Sequence, residues 1–215
     1  MTTFPGSPKL IKGGIVLVDP DTSAVLKVIT LQYNPDSISR TLQVQGSGEN
    51  ADRSEALRLK GPPIETIKLD AEIDATDQLE SGDGTASEVG IHPQLAALEL
   101  MVHPTSRQLQ SNYDLAQSGA LEIVPMMAPL AVFVWSRQRV VPVRITDFSI
   151  TEEAFDPALN PTRAKVSIGM RVLSVNDLGF LHKGGRLFMS YLQAKEQLAA
   201  RAPGGMLGGL GITGI

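Results

Sequence analysis

Apolar and polar positions alternate most clearly over residues 64–76 (IETIKLDAEIDAT). Ile67, Leu69, Ala71, Ile73 and Ala75 interleave with Lys68, Asp70, Glu72, Asp74 and Thr76. A period of two held over this length predicts a strand with one buried and one wet face. GGIVLV (13–18) and VLKVITLQY (25–33) are rich in Val, Ile and Leu, and DPDTSA (19–24) between them has turn chemistry. The pair predicts an antiparallel hairpin. Pro35 closes its second strand, since proline cannot donate to a ladder. SISRTLQVQ (37–45) reads as a third strand. Apolar runs return at LEIV (121–124), PLAVFVW (129–135), RVVPVRITDFSI (139–150) and RAKVSIGMRVLSV (163–175). Within 139–150 the apolar parity changes, from Val141, Val143 and Ile145 to Phe148 and Ile150. That change predicts a β-bulge near Thr146–Asp147.

Helical spacing appears twice. Pro93 suits a first helical position, and Leu95, Leu98 and Val102 follow at helical intervals. His103-Pro104 interrupts this segment, because a residue before proline avoids the helical region. A further turn or helix through Leu109 and Tyr113 ends near Gly119. LFMSYLQAKEQLAARA (187–202) carries a stripe of Phe188, Tyr191, Leu192, Lys195, Leu198 and Ala199, and Pro203 stops it. Residues 46–63 and 77–90 are polar, charged and glycine-marked, and read as long exposed loops. No repeat at a fixed period is present. The pattern predicts a mainly β or α+β fold, with one domain over 1–202 and a glycine-rich tail over 203–215.

Composition changes this picture in two ways. The chain has no cysteine, which excludes disulfides, thiol catalysis and cysteine zinc sites. Its net charge of −4 is unevenly spread: residues 1–100 hold 15 acids and 8 bases, a balance of −7, and residues 101–215 hold 8 acids and 11 bases, a balance of +3. Such halves suit either a head-to-tail contact between copies or an ordinary solvated surface. The start, MTTFPGSPKL, has no secretory pattern, and no apolar run reaches the ~20 residues that span a bilayer. A protein made in the cytoplasm, without membrane insertion, is expected.

Candidate chemistry is sparse. Asp70, Glu72 and Asp74 share one strand face, with Asp77, Glu80 and Asp83 following, and carboxylates so placed suit a hard cation. Yet Leu79 stands where a calcium loop needs an oxygen ligand, so a solvent face is the simpler reading. His92, His103 and His182 lie far apart and lack metal-ligand spacing. No nucleophile elbow is present. KGGR (183–186) offers glycines and basic residues ahead of the last helix, without a phosphate-loop pattern around them. Arg137, Arg139, Arg144, Arg163, Lys165 and Arg171 suit a basic sheet face. Aromatics at 5% and the overall acidity argue against nucleic acid. No enzyme, cofactor or metal is expected.

Two segments carry a family likeness. Leu31-Gln32-Tyr33-Asn34-Pro35-Asp36, followed by Ser39-Arg40-Thr41-Leu42, resembles the aromatic-Asn-Pro strand end of the contractile injection system tube and baseplate proteins. Ile150 through Glu152, Glu153 and Phe155 to Asn160-Pro161, and on to Leu173, resembles that family's late hairpin. The likeness covers roughly residues 8–200. It implies a tail-tube-like β-sandwich or barrel with a central helical segment and a C-terminal helix. It also implies a ring, hexameric in that family, joining inner tube to baseplate or spike in a phage-tail-like particle. Partners would be further copies and tube, spike/hub or sheath-baseplate proteins. Gln32, Tyr33, Asn34, Pro35, Arg40, Glu152, Phe155, Asn160 and Pro161 are the structural signature, with Tyr33 expected as a buried ring at a strand stop. Many baseplate adaptors of that family carry a LysM module, for which the tail beyond residue 200 is too short. A tube terminator or cap ring, and a cargo or binding module carried by the particle, are the alternatives. A hydrolase built on Asp70, Glu72 or Asp74 is the least supported reading.

Overall fold

The computed structural model describes residues 11–46, 57–119, 128–205 and 209. The sheet comprises β1 (Gly14–Val18), β2 (Val25–Thr30), β3 (Ile38–Gln43), β4 (Ile64–Asp74), β5 (Leu130–Ser136), β6 (Arg139–Phe155) and β7 (Pro161–Val172). All seven strands belong to one sheet in the order β2-β1-β5-β6-β7-β4-β3, and every pairing is antiparallel. The helices are α1 (Thr76–Glu80), α2 (Gly84–Val89), α3 (His92–Glu99), α4 (Ser106–Gln117), α5 (Val175–Leu178) and α6 (Lys183–Ala199). This is the mainly β, α+β architecture that the sequence pattern implies. Among the described residues, the end strands β2 and β3 each have one hydrogen-bonded neighbour.

The alternation in β4 is realised as burial. Ile67, Leu69, Ala71 and Ile73 are buried, while Lys68, Asp70 and Glu72 are exposed. Opposite them in β7 stand Met170, Ile168, Val166 and Ala164, also buried. These side chains join Phe133, Val141, Val143, Leu95, Leu98, Phe188 and Tyr191 in one core. Burying a side chain of this size contributes about 1.5–3 kcal/mol. A smaller cluster, Val18, Leu130 and Val132, uses the other parity of β1 and β5 and is covered by Leu178 and Leu187.

The bulge falls where the parity change places it: the β6–β7 register shifts between Ile145 and Asp147. Other boundaries moved. β6 continues to Phe155, past the expected end at Ile150, because β7 pairs with it out to Pro161. Residues 77–90 are not a loop: Asp83 caps α2 by accepting from Ala86 N–H at 2.8 Å, and two short helices fill most of the segment. Val102 lies beyond α3 and is exposed. Leu173 to Val175 leave β7 for α5, whose start is fixed by a Ser174–Asp177 capping box. Thr105 and Gln108 make the same box at α4, a helix with no buried residue. The expected strand at 121–124 and most of the 203–215 tail lie outside the described residues.

The last helix begins at Lys183, four residues before the expected start at Leu187. Its first turn is KGGR, and His182 caps it by accepting from Gly184 N–H at 3.1 Å. A Cβ on Gly185 would stand 1.8 Å from the Gly179 carbonyl oxygen, so the glycine lets α6 pass against the end of α5. Gly185→Ala should therefore destabilise the fold by about 1–3 kcal/mol, the usual cost of forcing an extra carbon into a packed contact. Urea denaturation checks this: the midpoint falls while the slope stays unchanged.

Candidate functional site

Residues 31–37 join β2 to β3, and this corner is held by two side-chain amides. Gln32 Nε2 donates to the Asp74 carbonyl at 2.6 Å, and Gln32 Oε1 accepts the Asp74 N–H at 3.1 Å. One side chain thus satisfies both backbone groups at the end of β4, as a neighbouring strand would. Asn34 repeats the device on the approach to β1. Its Oδ1 accepts from Gly13 N–H and its Nδ2 donates to the Ile11 carbonyl, both at 2.9 Å. Lys12 adds a bond to the Gln32 carbonyl. Tyr33 between them is not the buried ring expected of it. The side chains on either side make the two clamps, and its own ring remains 42% exposed. Pro35 follows, half-buried, after a strand that has already ended at Thr30.

Arg40 belongs to a second node. Glu65, on the buried parity of β4, accepts from Arg40, from Tyr191 Oη at 2.9 Å and from Lys195 Nζ at 2.9 Å. Three cationic or hydroxyl donors from β3 and α6 therefore converge on one buried carboxylate. Burial pushes this carboxyl up, but the hydrogen bond and charge of Lys195, with Tyr191 and Arg40, outweigh it and hold it below its ordinary value. Sequence reading passed over Glu65. The signal was an acid on the apolar parity of a strand, matched by Lys195 on the apolar stripe of a helix.

The β6–β7 turn brings the late signature together in part. Asp156 accepts from the backbone N–H groups of Ala158 and Asn160 and from Asn160 Nδ2, and Asn160 Nδ2 also reaches the Glu88 carbonyl at 3.1 Å. Pro161 is buried, and its carbonyl accepts from Ile91 N–H at 2.8 Å. Gly90 passes so close, at φ 58°, that a Cβ there would stand 2.2 Å from the Pro161 oxygen. Asn160 and Pro161 thus tie the hairpin to the α2–α3 junction. Glu152 and Phe155 face outward.

The acidic and basic stripes answer each other within one face. Glu72 stands opposite Lys165 and Asp74 opposite Arg163 across the β4–β7 ladder. Glu153 of β6 pairs with Lys165 at 2.8 Å and Arg163 at 3.4 Å. The hydrogen bond to Lys165 lowers the Glu153 carboxyl, and the same bond raises Lys165. Arg171 is held by Asp177 at 2.7 Å. Opposite charges from the two halves of the chain thus stand side by side on this face, Glu72 with Lys165 and Asp74 with Arg163. No group of three His, Asp or Glu side chains among the described residues is placed to hold a metal. His182 is a helix cap, and His92 and His103 are exposed at the start of α3 and after it. Arg137, Arg139 and Arg144 lie on the β5–β6 hairpin, Arg139 in register with Ser136 and Arg144 directly opposite Arg171 across the β6–β7 ladder. No helix among the described residues is long and apolar enough to cross a membrane. A recess of about 220 Å³ opens between β2, β4 and α3, walled by Ile29, Leu31, Ile73 and Leu98.

What the described residues leave open is the two sheet edges. β2 exposes Val25, Leu26 and Val28 at 54–62%. On the other edge, β3 and its continuation expose Leu42 and Val44, and Leu57 and Leu59 stand beside them through the Gly46–Leu59 bridge. Large apolar residues on strands with unpaired N–H and C=O groups make sites for strand pairing.

No family model matches the chain, and no curated protein does. Among solved structures, a chain in the tail of an empty GTA particle, of C6 symmetry, aligns over 75% of this chain and 90% of that one. The identity is 10% and the TM-score 0.30, a likeness too slight to carry an argument.

The Glu65 node generates a prediction. A folded-state carboxyl held below its ordinary value of 4.5 contributes stability that is complete above that pH and is lost as pH falls through the folded value. Glu65→Gln should lower stability at pH 7 and flatten the stability–pH curve below about 4.5. Thermal melts of both proteins from pH 7 to pH 3 check it. Parallel curves would remove Glu65 from the acid dependence.

Proposed function

We propose that this chain is a self-associating structural component of a phage-tail-like contractile particle. In this reading it forms a ring, hexameric as the family resemblance implies, at the junction of inner tube and baseplate or spike. The function is mechanical: interface area and symmetry fix the tube to its neighbours, and no chemical step is required. The observation that carries the reading is the pair of apolar sheet edges that no described strand covers. A monomer in water has no use for Val25, Leu26 and Val28 on an open strand, whereas a closed ring removes both edges from solvent. The amide clamps at Gln32 and Asn34 support it, because they fix the corner between the two edges with the residues that carry the resemblance.

Light scattering across a concentration series tests the proposal. The expected mass is a multiple of the protomer, six for a hexameric ring. Val28→Lys should shift the protein toward monomer at equal concentration with an unchanged far-UV circular dichroism spectrum, because a charge on an edge opposes strand addition. A wild-type protein that stays monomeric at every concentration, and is absent from purified particles, would overturn the reading in favour of a cargo or binding module.

A further inference from the structure

The β6–β7 hairpin turns through Pro157, Ala158 and Leu159. Asp156 N–H donates to the Asn160 carbonyl at 2.9 Å, and Leu159 N–H to the Asp156 carbonyl at 3.0 Å. The last residue of a three-residue loop of this kind takes the left-handed conformation, a place for glycine. Here it is Leu159, at φ 67°. A Cβ in that region crowds the following carbonyl, so the leucine is strained. Burial does not offset the strain, since Leu159 is 78% exposed. Phe155, at the foot of the same loop, is 51% exposed. The tip is nonetheless held firmly. The Asp156 carboxylate accepts from the N–H groups of Ala158 and Asn160. The Asn160 side chain donates to the Glu88 carbonyl, and the Pro161 carbonyl accepts from Ile91 N–H. Two large apolar side chains are thus presented on a fixed support, on β6 and its loop rather than on the edge strands β2 and β3.

That support carries one sign of charge. Residues 75–106 hold the acids Asp77, Glu80, Asp83, Glu88 and Glu99 and no lysine or arginine. Glu88, whose carbonyl receives Asn160, has its side chain exposed, and Glu152 is exposed on the approach to Phe155. The bases that follow the tip, Arg163 and Lys165, are engaged by Glu153. An apolar projection set among carboxylates fits an apolar pocket with a basic rim.

We infer that the β6–β7 tip is an anchor for a second protein of the particle, Leu159 and Phe155 entering an apolar pocket whose rim carries lysine or arginine. The inference rests on the particle role proposed above and adds to it a contact separate from the sheet edges. Leu159 opposes folding of the free chain, and contact in the bound state offsets that strain. This is the pattern of a residue kept for recognition rather than for the fold.

Leu159→Gly in the full chain separates folding from contact. Glycine accepts the left-handed conformation, so the urea midpoint should rise with an unchanged slope. Light scattering should give the wild-type mass. When the variant replaces the wild type in producing cells, the yield of particles containing the protein should fall by about tenfold or more, the loss expected when a buried anchor is removed. Glu88→Lys leaves the backbone partner of Asn160 in place. It should lower the yield as well, because it sets a like charge against the basic rim. A urea midpoint that falls for Leu159→Gly means that the leucine serves its own fold, and overturns the inference. So does a wild-type particle yield from that variant. If the mass falls together with the yield, the tip binds another copy and the partner assigned here is wrong. An unchanged yield from Glu88→Lys rules out the basic rim. A wild-type chain absent from purified particles overturns the particle role, and this inference with it.

Discussion

The structure depends on β7 being bonded along both sides. β6 and β4 flank it, and alternate residues of all three strands point into one core. Once Ile67, Met170 and Ile145 align across the three strands, the opposite face must carry the charges. A one-residue slip of β4 would turn its apolar set outward and bury Lys68, Asp70 and Glu72. The bulge at Thr146 lets the long β6 strand keep its register with β7 while its N-terminal part pairs with β5.

From that ladder the remaining features follow outward. Glu65 extends the buried face of β4 past the apolar residues. It is stable there only because Arg40, Tyr191 and Lys195 supply donors. In turn these donors hold α6 against the sheet. At the other end of β4, Gln32 substitutes for a missing strand neighbour, and Asn34 does the same before β1. The core therefore fixes the corner, and the corner fixes where the two open edges begin.

Much of the fold was legible because period-two patterning is a local property. The β4 alternation, the β1–β2 hairpin and the parity change at Thr146–Asp147 each needed only neighbouring residues. Tertiary pairing decided the rest. β6 reaches Phe155 because β7 lies beside it, and nothing local marks that limit. KGGR joins α6 because Gly185 passes against Gly179, a contact invisible in sequence. The charged stripes are strand faces, as the alternation implies. Their mutual neutralisation becomes apparent only because β4 and β7 are neighbours. Of the signature residues, Gln32, Asn34, Arg40, Asn160 and Pro161 have specific structural partners. Tyr33, Glu152 and Phe155 are exposed, Tyr33 with its hydroxyl 3.4 Å from Gln32 Nε2.

If the β2 and β3 edges are surfaces between copies, their amides must change environment when copies meet. Hydrogen–deuterium exchange on dilute and assembled protein reads this directly, since an unpaired edge amide exchanges freely and a laddered one does not. The outward-facing amides within Val25–Thr30 and Ile38–Gln43 should become protected on assembly, while those of exposed α4 should not change. Assembly with unaltered exchange in both edge strands would refute edge pairing between copies.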